Sequence, residues 1–206
     1  MKKLLLILVM FSFFACKKSD PQPQRFTILG TVTQMFSGLS IVSDVDEKVN
    51  FTDYLPNSAI MTGDRVYVLG ELISQSGNVY EAKFLNIMKV EINSVYKAEE
   101  VDREDLGDEP IILENDNILF SGYFLNLFMN STTYSHNLTL YIESEKEESN
   151  GTMSITAEIC NNAVGAKSSP IVSFDLRDYK ERKLSSLTIR YKNNNGQTEE
   201  KIIHLK

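Results

Sequence analysis

Three observations mark this chain as all-β with two domains. From Phe26 onward, apolar residues recur at every second position rather than every third or fourth, as in half-buried strands. Turn-forming pairs such as Asn150-Gly151 and Asn195-Gly196 separate the apolar runs. Between two sets of such runs, Ala98 to Glu109 carries seven acidic residues against the single Arg103, and no strand with a buried face tolerates that. With 206 residues, 42% of them hydrophobic, the chain can bury a core in each half.

The first element is not part of either domain. Met1-Lys2-Lys3 is a short positive segment, followed by the apolar run Leu4 to Ala15, broken only by Ser12. A membrane-crossing helix needs about 20 apolar residues, so this run is too short for one and has instead the anatomy of a secretory signal peptide. Phe13-Phe14-Ala15-Cys16 resembles a bacterial lipobox, which makes residues 1–15 a lipoprotein signal peptide and Cys16 the lipidated first residue of the mature chain. Residues 16–25 follow as a polar, Pro-containing tether. Loss of Lys2 and Lys3 leaves 19 of the 21 basic residues against 28 acidic ones, a net of −9, so attraction to anionic lipid does not serve as the anchor. Acyl chains do, at about 0.8 kcal/mol per buried methylene. The expected location is the cell envelope.

Residues 26–97 form the first domain. Phe26, Ile28 and Val32 share one strand face, Ser37-Gly38 makes a turn, and Leu39, Ile41 and Val45 alternate after it. Arg65–Ser74 and Val79–Ile92 flank Gln75-Ser76-Gly77-Asn78 as the arms of a hairpin. In the second arm Tyr80, Ala82, Phe84, Met88, Val90 and Ile92 are expected to face the core. Residues 98–109 are read as an acidic linker with one helical turn around Glu99 to Leu106, capped by Gly107 and stopped by Pro110. In residues 110–206 the alternation returns in Ile118–Met129, 138–142, 153–159, 171–176, 187–191 and 202–205, a spacing that suggests a β-sandwich. Ile118–Met129 is apolar on both faces and reads as a central strand covered from each side.

Catalytic chemistry finds little support. His136 and His204 are the only histidines; no serine, cysteine or carboxylate stands beside either at motif spacing, and both read as surface residues. Cys160 lacks a partner once Cys16 is acylated and reads as a structural cysteine, although strict alternation places it with Ser154, Thr156 and Glu158. The linker and Asp44-Val45-Asp46-Glu47 hold clustered carboxylates without the spacing of a calcium loop, so no metal is expected. Gly63, Gly70 and Gly77 are isolated, not a phosphate loop. No cofactor is expected.

Gly63-Asp64-Arg65-Val66-Tyr67-Val68, Leu106-Gly107-Asp108-Glu109-Pro110-Ile111, Gly122-Tyr123-Phe124-Leu125-Asn126, Ile171 to Leu176 and Leu187 to Lys192 together resemble the NigD-like family of Gram-negative lipoproteins. The resemblance runs from the signal peptide to the final strand and implies an outer-membrane location and an N-terminal OB-like barrel followed by a C-terminal β-sandwich. It implies no particular activity; the family's name reflects gene neighbourhood with bacteriocin genes, which makes a self-protection factor the alternative function. OB folds often bind oligonucleotides or oligosaccharides, but acidic side chains outnumber basic ones in residues 26–97, so nucleic acid is not an expected partner. Phe51, Tyr54, Tyr67, Tyr123 and Tyr134 are candidate aromatic platforms, each also suited to core packing. The expectation is a non-catalytic envelope lipoprotein, attached to the membrane through Cys16, whose two β domains meet a protein or glycan partner.

Overall fold

The computed structural model describes residues 23–35, 38–55, 59–130, 136–162 and 169–205. Cys16 with its signal segment, Ser37 of the first expected turn, and Tyr134 lie outside the described residues. Five strands, β1 (Arg25–Gln34), β2 (Leu39–Ser43), β3 (Lys48–Phe51), β4 (Arg65–Ser76) and β5 (Val79–Lys89), close into a barrel in the order β1-β2-β3-β5-β4. Only β3 and β5 run parallel; the other pairs are antiparallel, the five-stranded closure of an OB-like barrel. Alternation supplies its core, with Ile28, Val32, Ile41, Val49, Val66 and Val68 buried. Phe51 stacks on Phe26 at 6.5 Å and meets Phe84 edge-on at 6.1 Å. β1 can cross β2 because Gly30 has no side chain: a Cβ there would lie 2.4 Å from the Val42 carbonyl oxygen.

The hairpin is tighter and shorter than its sequence suggests. β4 runs to Ser76 and β5 starts at Val79, so Gly77-Asn78 alone makes the turn, with Gly77 at φ 62°. The second arm ends at Lys89 instead of Ile92. Leu69 pairs with Asn86 and Gly70 with Phe84, which leaves Leu85 as a bulge. That extra residue shifts the inward face, so Ile87 rather than Met88 packs on the barrel core, and Ile92 is exposed.

Among the described residues, nine strands build the sandwich. β6 (Glu91–Asn93) and β7 (Val95–Lys97) enter it before the acidic segment. They are followed by β8 (Leu113–Ser121), β9 (Phe124–Met129), β10 (Leu138–Glu147), β11 (Met153–Asn161), β12 (Ile171–Asp175), a short helix α1 (Arg177–Glu181), β13 (Leu184–Lys192) and β14 (Thr198–His204). One sheet has the order β14-β13-β11-β10-β7 and the other β6-β12-β9-β8. β6 and β7, separated by Ser94 alone, join opposite sheets, each parallel to its neighbour. The strand pairing of residues 91–97 thus belongs to the second body, not to the barrel domain expected to extend to residue 97. Between the sheets lie Leu125, Leu127, Leu140, Val172, Phe174, Leu187 and Ile189, each fully buried and each contributing about 1.5–3 kcal/mol by leaving water.

Ile118–Met129 is not one central strand. It folds back at Gly122-Tyr123 into the β8–β9 hairpin, with Gly122 at φ 58°. Of the two arms, β9 is the covered one: Phe124, Leu125, Asn126 and Leu127 are all buried. The acidic segment lies along the sandwich rather than away from it. Its helical turn is a 3-10 turn over Arg103–Leu106, capped by the Asp102 carboxylate, with Gly107 following at φ 80°. Leu106 is buried, Arg103 pairs with Glu158, and the Glu109 N–H donates to the Asn161 carbonyl at 3.1 Å.

Candidate functional site

The barrel rests on the outer face of the β6-β12-β9-β8 sheet, and a polar cluster fixes it there. Arg65 opens β4 and is 2% exposed. Its Nη1 and Nη2 donate to the two carboxylate oxygens of Asp44 at 2.7 Å each, a bidentate fork. The same guanidinium donates from Nε to Ser173 Oγ at 3.0 Å and from Nη2 to Asn126 Oδ1 at 2.8 Å. It lies 3.7 Å from the centroid of the Phe124 ring. The Ser121 hydroxyl donates to Asp44 Oδ2, and Ser173 Oγ to Asn126 Oδ1 at 2.6 Å. Arg65 and Asp44 come from the barrel; Ser121, Phe124, Asn126 and Ser173 come from the sandwich. A buried ion pair is tolerable only when its remaining donors and acceptors are met, and here the second domain meets them.

Local structure positions each member. Asp44 sits in the β2–β3 turn, which the Ser43 hydroxyl organises by accepting the N–H groups of Val45 and Glu47 at 3.3 and 3.0 Å. Gly122 passes close to that turn: a Cβ there would lie 2.9 Å from the Asp44 carbonyl oxygen. Lys180 of α1 holds the hairpin by donating to the Gly122 carbonyl at 2.7 Å. The Val90 N–H donates to the Arg65 carbonyl at 2.9 Å, which fixes the chain as it leaves the barrel for β6.

Beside this cluster a groove of about 430 Å³ opens between the two domains. Thr27, Leu29 and Tyr67 line it from the barrel, Val45 and Glu47 from the turn, and Asn117, Leu119 and Phe128 from the sheet. Tyr67 meets Phe128 edge-on at 6.4 Å. Val45 is 66% and Leu119 45% exposed, so the groove has apolar lips. Glu47 accepts the Tyr80 hydroxyl at 3.0 Å.

The residues singled out from sequence fare differently. Tyr67 lines the groove, whereas Phe51 and Tyr54 are buried in the barrel and Tyr123 is 43% exposed at the hairpin tip beside Arg177 and Lys180. His136 is buried, not on the surface, and His204 is exposed. Cys160 is buried despite its expected alternation with polar neighbours, and that burial pushes its thiol up to about 12. The run of carboxylates from Asp44 to Glu47 is divided: Asp44 is taken by Arg65 and Glu47 by Tyr80. Among the described residues no cluster of three or more His, Cys, Asp or Glu has metal-holding geometry, and no helix is long and apolar enough to cross a membrane.

Sequence reading missed the Arg65 cluster. Its trace is nonetheless present: Asn126 and Ser173 are single polar residues inside the apolar runs Phe124–Met129 and Ile171–Phe174, and a polar group so placed demands a buried partner.

No protein-family model matches the chain, and no curated protein matches it. Solved structures do. A protein of unknown function from Bacteroides vulgatus is 16% identical, with a TM-score of 0.69 over 89% of this chain and 92% of that one. A candidate lipoprotein from Bacteroides fragilis is 13% identical, with a TM-score of 0.59 over 89% and 98%. A NigD-like immunity protein from Bacteroides caccae is 17% identical, with a TM-score of 0.58 over 88% and 92%. The barrel-and-sandwich arrangement that the sequence resemblance implied is thus the fold this chain shares with a NigD-like protein.

Proposed function

We propose that the chain is a non-catalytic envelope lipoprotein, anchored through acylated Cys16, whose groove at the barrel–sandwich junction receives a protein or glycan partner. The observation that carries this reading is the groove itself, an apolar-lipped cleft held open by a buried ion pair that both domains complete. Both carboxylates at its wall are engaged, Asp44 by Arg65 and Ser121 and Glu47 by Tyr80, an arrangement suited to holding a shape rather than to moving protons. The candidate lipoprotein of the same fold supports the anchor. Recovery of one partner from detergent-solubilised membranes by the wild-type chain, but not by a Val45→Lys, Leu119→Asp variant, is the expected result; equal recovery by both rules the groove out. Cys16→Ala should leave the protein unprocessed or release it from the membrane fraction, and normal sedimentation with membranes overturns the anchor.

A second reading, self-protection against a secreted bacteriocin, is favoured by the shared fold with a NigD-like immunity protein. Unchanged toxin sensitivity after gene deletion would dispose of it.

A further inference from the structure

We propose that the partner in the junction groove is a short extended peptide, added as a fifth strand along the outer edge of β8. This rests on the groove being a binding site and goes beyond it by naming the occupant. β8 is the terminal strand of its sheet, and among the described residues no strand pairs with its outer edge. Such an edge presents a row of main-chain N–H and C=O groups, the template for strand addition. Asn117 and Leu119 share the β8 face that lines the groove, so a strand continuing this sheet would drop every second side chain into the same cleft.

Groove chemistry then selects the guest. A glycan needs a dense set of uncommitted polar groups. Here Asp44 is held by Arg65 and Ser121, the Ser43 hydroxyl accepts two backbone N–H groups, and Glu47 accepts the Tyr80 hydroxyl. Thr27, Tyr67 and Asn117 add scattered polar groups, and the rest of what faces an incoming chain is the apolar surface of Leu29, Val45, Leu119 and Phe128 plus the strand edge. Glu47 is acidic and the whole chain carries a net charge of −7, so a Lys or Arg flanking the apolar positions complements the site. The guest is short. The β8–β9 register shifts between Leu113 and Ile118, and Asn115 stands at φ 51°, so regular edge runs only from Ile118 to Ser121. The same irregularity blunts the edge against indiscriminate pairing.

The test is selection from a displayed library of random peptides against the full chain, with the enriched peptides remade synthetically and binding read by fluorescence anisotropy. Enriched peptides should show apolar residues at alternate positions beside a basic residue. Leu119→Asp and Val45→Lys, both at exposed positions, should each weaken binding at least tenfold, about 1.4 kcal/mol. N-methylation of alternate peptide amides should weaken it similarly, because it removes main-chain donors without altering side chains. Failure to enrich any peptide, enrichment without alternation, or indifference to N-methylation overturns strand addition. If a glycan array gives a ligand whose binding is lost in the Leu119→Asp variant while peptides give none, the groove stands as a site and the peptide is ruled out. If both variants leave every ligand unaffected, the groove reading falls as well.

Discussion

Removing the Arg65 side chain is the sharpest test of how the two domains are joined. Arg65→Ala deletes four hydrogen bonds, two to Asp44 and one each to Ser173 and Asn126, together with the contact over the Phe124 ring. It strands the Asp44 carboxylate, whose side chain is 8% exposed, with the Ser121 hydroxyl as its remaining hydrogen-bond donor in the cluster. Breaking a buried ion pair from one side costs about 3–5 kcal/mol, a large part of the roughly 5–15 kcal/mol that holds a protein folded. For a chain of this size the melting temperature should fall by roughly 6–20 °C, taking about 2–4 °C per kcal/mol. Urea titration followed by far-UV circular dichroism and tyrosine fluorescence gives the free energy directly. Arg65→Lys should restore little, because an ammonium cannot fork onto a carboxylate and reach Ser173 and Asn126 as well. The Asp44→Ala, Arg65→Ala double variant should lose less than the sum of the single losses, since no unpaired charge is left behind. A loss below about 1 kcal/mol for Arg65→Ala, the scale of an exposed ion pair, would refute the reasoning.

Other consequences are open to measurement. Gly122→Ala forces a side chain into a left-handed turn and against the Asp44 backbone, and should cost about 1–3 kcal/mol in the same titration. The Cys160 thiol, pushed up to about 12 by burial, should resist thiol reagents at about pH 8 in a folded Cys16→Ser chain and react fully once the chain is unfolded. Glu145 is held below its ordinary 4.5 by Arg182, and Glu199 below the same value by hydrogen bonds from Asn193 and Tyr191. Both carboxyls therefore release their protons more readily when folded, so their stabilisation is complete above 4.5 and declines as the pH falls through the lowered values. Glu145→Gln and Glu199→Gln should each make stability less sensitive to pH in that acid range, as read by melting temperature.

The alternation of Phe26 to Val32 and of Ile171 to Leu176 shows in the sequence because each strand buries one regular face, and the Asn-Gly pairs show because tight turns need positive φ. Three things did not show. The bulge at Leu85 shifts the inward face through pairing with β4, a non-local effect that no window around residue 85 contains. Residues 91–97 look like more of the same hairpin arm, yet the β-strands that claim them lie far along the chain, at 138–147 and 171–175. The Arg65 cluster joins residues 44, 65, 121, 126 and 173, and side chains so far apart in sequence announce a common partner only as isolated polar letters in apolar runs. The groove is legible only after that cluster is known, because it exists where two surfaces fail to close completely.

The shared ownership of Arg65's acceptors bears on ancestry and on protein engineering. A barrel transplanted onto a foreign sandwich would bring a cation whose Asn126 and Ser173 counterparts are missing, and a sandwich offered a foreign barrel would keep an Asn126 oxygen and a Ser173 hydroxyl that have lost the guanidinium and are left with each other. The halves are therefore poor candidates for shuffling as independent cassettes. Lineages that exchanged one of them would have had to carry or rebuild all of these positions together.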